Sequence, residues 1–185
     1  MSDDLVLRAQ AGDGDAFSAL TAPRLARLYA AARLILRDDD LAADAVQDAL
    51  LQVWRDLRGL RQADRFDAWL RRVLIRSCYR AAGRHRSRRV AEIKVRWAED
   101  AAVPDAEREV ALRDQLERGF ARLSPQQRAV LVLRHYLGLS TIECAEALGI
   151  PPGTVQSRLD RARDAMRAAI EADDRAPALV GEVAR

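Results

Sequence analysis

A chain of 185 residues with 49% hydrophobic content can bury one core or two small ones, which excludes a disordered chain. Aromatic residues make up only 5%, alanine, leucine and arginine dominate, and no run alternates β-branched residues at period two, so an all-α fold is expected. The net charge of +3 is modest but unevenly placed: Arg55 to Arg96 carries fourteen Lys or Arg residues against Asp56, Asp64, Asp67 and Glu92, which points to an acidic partner, nucleic acid being the commonest, with an arginine-rich solvated face as the plainer alternative.

The opening MSDDLVLRAQ is acidic and lacks the apolar core of a signal peptide. No stretch approaches the roughly 18 apolar residues of a membrane span, so no membrane insertion and a cytoplasmic location are expected. Helical patterns run from about Ala16 to Leu36, from Leu41 to Leu57 and from Phe66 to about Arg84, forming a first domain at 1–89. In the middle helix Val46, Leu50, Val53 and Leu57 make one buried stripe, which leaves Asp44, Gln47, Asp48 and Leu51 on an uncovered face. The pattern weakens after Arg89, and residues 90–107 read as a linker; about 20 extended residues reach some 65 to 70 Å, close to two turns of DNA. Cys78 and Cys144 stand far apart and, with only His85 and His135 to join them, form no metal-ligand spacing, so core thiols are expected and no metal or other cofactor.

A second domain is expected at 108–172, beginning with a helical stretch from Arg108 to near Leu123. Ser124-Pro125-Gln126-Gln127 has the form of a capping box with Pro at the first helical position, and Ser140-Thr141-Ile142-Glu143 repeats the logic with Glu. The short helix after Ser140 ends at Leu148; Gly149 can take the left-handed conformation that stops it, and Pro152 suits the first turn of the next. There Val155, Leu159, Ala162 and Met166 fall on one face, expected to pack on Ile142, Ala145 and Leu148. Thr154, Ser157, Arg158 and Arg161 lie away from that stripe, the arrangement by which a helix-turn-helix presents its second helix to a DNA major groove; a plain αα-hairpin with a basic face is the alternative. The tail at 173–185, with Pro177 and Gly181, has no stripe long enough to pack and is expected to be disordered.

Leu123-Ser124, Gly138, Ser140, Glu143, Ala145, Leu148-Gly149-Ile150, Gly153-Thr154-Val155, Ser157-Arg158-Leu159 and Arg161-Ala162-Arg163 give the second domain a close resemblance to region four of bacterial sigma factors of the sigma-70 class. A helix-turn-helix alone also fits a response regulator, so the first domain decides. Its LAADAVQDALLQVW, with Asp44, Gln47 and Trp54, resembles region two, as do Phe66, Ala68-Trp69-Leu70 and Arg72 in the next helix. Two such regions joined by a linker resemble the extracytoplasmic-function (ECF) subgroup, over roughly Asp15 to Ala169.

The resemblance implies a factor without catalytic activity of its own that directs core RNA polymerase to promoter DNA. It implies docking on the β′ clamp helices through Asp44, Gln47, Asp48, Leu51 and Trp54, and contact of region four with the β flap. It implies capture of an extruded minus-ten base by the loop from Arg58 to Arg65, through Arg61 and Gln62, and contact with the nearby DNA through Arg72, Arg76, Arg80 and Arg84. The minus-thirty-five element falls to Thr154, Gln156, Ser157, Arg158, Arg161 and Arg163. An anti-sigma factor wedged between the domains is implied as the regulator. Arg76 and Arg80 depart from a usual Asn and acidic residue, Gln156 from a usual Lys, and Thr141, Ile142 and Cys144 from the usual region-four residues. The competing reading is a stand-alone helix-turn-helix regulator whose first domain dimerises or senses.

Overall fold

The computed structural model describes residues 2–92 and 116–180, and among these every regular element is helical. Helix α1 (Ser2–Gln10) was not expected, because its buried stripe is only Val6 and Ala9. A turn at Gly12, φ 100°, leads to α2 (Gly14–Thr21), whose cap Asp13 accepts from the Ala16 N–H at 2.9 Å and pairs with Arg8 at 2.7 Å. Those two donors hold the Asp13 carboxyl below its usual range.

The single helix expected from Ala16 to Leu36 is two. Pro23 has no N–H to donate, and the chain tightens into a 3-10 turn at Ala22–Arg24 before α3 (Leu25–Leu36). Arg37 ends α3 in the left-handed conformation, φ 57°, and Asp38 caps α4 (Asp39–Asp56) by accepting from the Leu41 N–H at 2.8 Å. The expected stripe of α4 faces inward, with Val53 and Leu57 enclosed. Two 3-10 turns, Leu57–Gly59 and Ala63–Arg65, lead to α5 (Phe66–Glu92), longer than expected, which buries Phe66, Leu70, Leu74, Ile75 and Cys78 across the bundle. Large apolar side chains so enclosed contribute roughly 1.5–3 kcal/mol each.

The second unit comprises α6 (residues 116–122), α7 (Pro125–Leu131), α8 (Thr141–Leu148) and α9 (Pro152–Val180). Both capping boxes form, at Ser124 with Gln127 and at Ser140 with Glu143. Gly119 allows α6 to approach α9, since a Cβ there would sit 2.7 Å from the Met166 sulfur. After α7 a π turn at Val132–Tyr136 widens the chain, with the Leu137 N–H donating to the Val132 carbonyl at 2.9 Å. Gly149 is left-handed at φ 67° and closes α8 as expected; Val155, Leu159 and Ala162 of α9 are buried, as are Cys144, Ala145 and Ala147 of α8.

One packing expectation fails. Ile142 is 64% exposed, because at about 100° per residue it falls opposite the arc formed by Cys144, Ala145 and Ala147. Helix α9 also continues to Val180, past Asp173, where the packed domain was expected to end. The expected linker from residue 93 onward, the start of the second domain at Arg108 and tail residues 181–185 lie outside the described residues.

The units pack on each other, α5 against α8 and α3 against α7. Arg128 of α7 is a buried polar contact of this seam. Its Nε donates to the Ile35 carbonyl at 2.5 Å and its Nη1 to the Leu123 and Phe120 carbonyls at 2.6 and 3.3 Å, so one guanidinium serves the C-terminal ends of both α3 and α6. Arg27 donates to the Leu137 carbonyl at 3.0 Å, and Arg65 pairs with Glu146 at 3.4 Å.

Candidate nucleic-acid interface

Capping and the glycine stop give the α8–α9 pair a sharp corner, and burial of Val155, Leu159 and Ala162 fixes which side of α9 faces outward. Gln156, Ser157, Arg161 and Arg163 are exposed and Thr154 is half-buried. At rest they are tied along the helix: Arg161 Nε donates to the Ser157 carbonyl at 3.0 Å, Ser157 Oγ to the Thr154 carbonyl at 3.1 Å, and Gln156 Nε2 to Asp160 at 3.1 Å. Arg163 lies 3.8 Å from Asp160. Exposed contacts of this kind are worth little and exchange readily for phosphate or base partners.

Arg158 differs from its neighbours. It is half-buried and stands close enough to Tyr79 of α5 to act on its hydroxyl, which is enclosed without a hydrogen-bond partner. Burial pushes that hydroxyl up to about 12, and Arg158 pulls it the other way. Arg72 lies against the α8–α9 corner, its Nη2 3.6 Å from where a Gly149 Cβ would stand. Arg158 and Arg72, which the sequence assigns to two separate DNA elements, therefore face the seam between the units.

The row on α5 is exposed at all four positions but divides by partner. Arg72 is at the seam, Arg80 donates to Gln52 and Ser77 at 2.9 Å each, and Arg84 pairs with Asp48 at 3.3 Å. The sequence placed Arg84 and Asp48 on different surfaces; the crossing of α4 and α5 brings them together. Arg61 and Gln62 are both exposed on the loop before α5.

On α4, Asp44, Gln47, Leu51 and Trp54 are exposed. Gln47, Leu51 and Trp54 border an open groove of about 430 Å³ with Phe17, Tyr29 and Val46. Phe17 meets Trp54 edge-on, ring centroids 4.9 Å apart. Leu51 and Trp54 are 46% and 37% exposed, so this groove presents apolar surface beside the acidic face of α4. Phe17 and Tyr29 were missed in the sequence, since only the packing of α2 and α3 against α4 brings them there. Cys78 and Cys144 are buried free thiols on separate helices.

Comparison with known proteins gives two family-model matches, sigma-70 region 2 over residues 22–88 and sigma-70 region 4 over residues 113–166. The chain is 36% identical over 147 residues to the RNA polymerase sigma-E factor of Streptomyces avermitilis, a match that covers 80% of each chain. It is 34% identical over 163 residues to the ECF RNA polymerase sigma factor SigM of Mycobacterium tuberculosis, across 88% of this chain and 81% of that one. Among solved structures it is similar to CnrH in complex with the cytosolic domain of CnrY, with a TM-score of 0.66 at 28% identity over 93% of this chain and 98% of that one. A second, the sigma factor RpoE with the anti-sigma factor NepR from Bartonella quintana, gives a TM-score of 0.66 at 27% identity over 85% and 98%. The chain therefore belongs to the sigma-70 family and is an RNA polymerase sigma factor of the ECF type.

Proposed function

We propose that the two units divide promoter recognition between them, residues 1–89 serving polymerase docking and the minus-ten element and residues 108–172 the minus-thirty-five element. The observation that carries this reading is the outward face of α9 beside the glycine corner, where Gln156, Ser157, Arg161 and Arg163 stand exposed on a capped helix-turn-helix, with half-buried Thr154 beside them and Arg158 turned to the seam. In a major groove, Arg158 and Arg161 would make paired hydrogen bonds to guanine, each worth roughly 1–3 kcal/mol of discrimination, with Arg163 nearer the phosphates. Arg61 and Gln62 would meet the extruded minus-ten base, and Arg72, Arg76, Arg80 and Arg84 would hold the adjoining DNA; unstacking a base takes a few kcal/mol, which such a row offsets electrostatically.

Asp44, Gln47, Asp48, Leu51 and Trp54 are the proposed polymerase-docking residues, with Phe17 and Tyr29 completing the apolar groove beside them. The Asp48–Arg84 pair is roughly half exposed, so releasing it takes little free energy. Because Arg158 and Arg72 face the seam, DNA recognition on this reading requires the units to part. An anti-sigma partner, of the kind that NepR is for RpoE of Bartonella quintana, would act by holding the surfaces apart from polymerase and DNA. Catalysis belongs to the polymerase, and the factor works where the polymerase does, in the cytoplasm.

Run-off transcription with core polymerase on a genomic promoter library tests the assignment. Transcripts that depend on this protein and fade with Arg158→Ala and Arg161→Ala are expected. Tight promoter binding without polymerase, on paired half-sites, would instead mark a stand-alone regulator.

A further inference from the structure

We infer that Gln10, the last residue of α1, is a positioning residue for the loop proposed to capture the minus-ten base; the inference rests on that proposed role of the loop. The loop leaves α4 through the 3-10 turn Leu57–Gly59, passes through Leu60 and Gln62, both extended, and re-enters helix through Ala63–Arg65. Extended backbone outside a sheet has no ladder partners, so its carbonyls must find donors elsewhere.

Gln10 supplies one to Leu60 and a second donor to Leu57, whose carbonyl also accepts from the Leu60 N–H at 3.0 Å. Its Nε2 donates to the Leu57 carbonyl at 3.0 Å and to the Leu60 carbonyl at 2.7 Å, bridging 47 and 50 residues of chain. Both protons of one amide nitrogen are used, and two carbonyl acceptors fix which end of the amide faces the loop. The clasp is reciprocal, since Arg58 Nε donates to the Gln10 carbonyl at 3.3 Å.

The two ends of this clasp are anchored independently. Val6 and Ala9 seat α1 in the bundle, and Leu57 is buried at the end of α4. Gln10 thus pins both ends of the turn that sets where Leu60 leaves it, and the next two residues are the exposed Arg61 and Gln62. Without it, the Leu60 N–H would still donate to the Leu57 carbonyl at 3.0 Å and the Arg65 N–H to the Gln62 carbonyl at 3.1 Å, but Leu60 would lose its bond to α1, and the direction of Arg61 and Gln62 would be less closely held. Leu7, 62% exposed, lies on the outer side of α1, so the helix serves the loop through its end and its buried side.

The test uses reconstituted holoenzyme with wild-type protein, Gln10→Met and Gln10→Lys. Met keeps the length and apolar stem without donors; Lys restores donors on a stem of similar reach. Open-complex formation is measured by permanganate reactivity on promoters carrying the preferred base, each other base, or an abasic site at the captured minus-ten position. The expected result is that Gln10→Met narrows discrimination between preferred and abasic templates by roughly tenfold, as loss of two ordinary hydrogen bonds would, with core-polymerase competition and the minus-thirty-five footprint unchanged. Gln10→Lys should recover much of the discrimination.

Wild-type discrimination in Gln10→Met would overturn the inference. So would a uniform loss on all templates, abasic included, accompanied by a lowered melting temperature, since that is the signature of a structural brace alone. If wild-type holoenzyme itself shows no base preference at any minus-ten position, the reading of the loop fails first.

Discussion

Replacing Arg128 with Leu removes a guanidinium that is 8% exposed and donates to the carbonyls of Ile35, Leu123 and Phe120. Burial lowers its pKa to about 10, which leaves it charged at neutral pH. The Ile35 and Leu123 bonds, at 2.5 and 2.6 Å, are the strong ones; Phe120, at 3.3 Å, also accepts from the Leu123 N–H at 3.2 Å. Bonds to a charged donor contribute roughly 1.5–3 kcal/mol each, offset by the cost of burying the cation. A net loss of about 3 kcal/mol follows, a large share of the roughly 5–15 kcal/mol that holds a domain together. With a urea slope near ~2 kcal/mol/M, the unfolding midpoint should fall by about 1.5 M. Arg128→Lys keeps the charge but cannot fork between two helix ends, and should lose about half as much. Small-angle scattering on both variants should show a larger radius of gyration, because the Ile35 bond crosses between the units. A midpoint and radius equal to wild type in Arg128→Leu would refute this account of the seam.

Tyr79→Phe removes an enclosed hydroxyl without a partner, so thermal unfolding should show unchanged or raised stability, by up to about 1 kcal/mol; a clear loss would mean the hydroxyl is bonded. Burial pushes the Cys78 thiol up to about 12, so a disulfide reagent at neutral pH should label it only at the rate of unfolding, and prompt labelling of folded protein would contradict its burial. The Glu143 carboxyl sits below its usual range because it accepts from the Ser140 backbone and side chain. Its capping contribution is therefore fully present above the ordinary glutamate pKa and lost as pH falls through the lower folded value. Unfolding measured across that window should lose this step in Glu143→Gln; a step of the same size in the variant would assign it to another group.

The helix starts were legible because capping is local chemistry: Ser124 and Ser140 each find their partner three residues on, and Gly149 announces its own conformation. The stripe of α4 was legible for the same reason, four apolar residues on one period. Where tertiary packing decides, the pattern fell short. Pro23 divides what looked like one helix, and Ile142 faces solvent although Cys144 and Ala145 on the same helix are buried. The groove needed Phe17 and Tyr29 from two other helices, and the pairing of Arg84 with Asp48 depends on a crossing angle that no spacing encodes. Gln10 carried no sequence signal at all, since a glutamine at the end of a short polar segment is indistinguishable from a solvated one until the loop it holds is seen.

The most direct measurement places photo-crosslinking side chains at Ser157 and at Gln62 in otherwise wild-type protein and maps their products on one promoter, with and without core polymerase. The account predicts that position 157 crosslinks in the minus-thirty-five element and position 62 in the minus-ten element, both only in the holoenzyme. Crosslinks from position 157 that are as strong without polymerase, or that fall in the minus-ten element beside those from position 62, would contradict it.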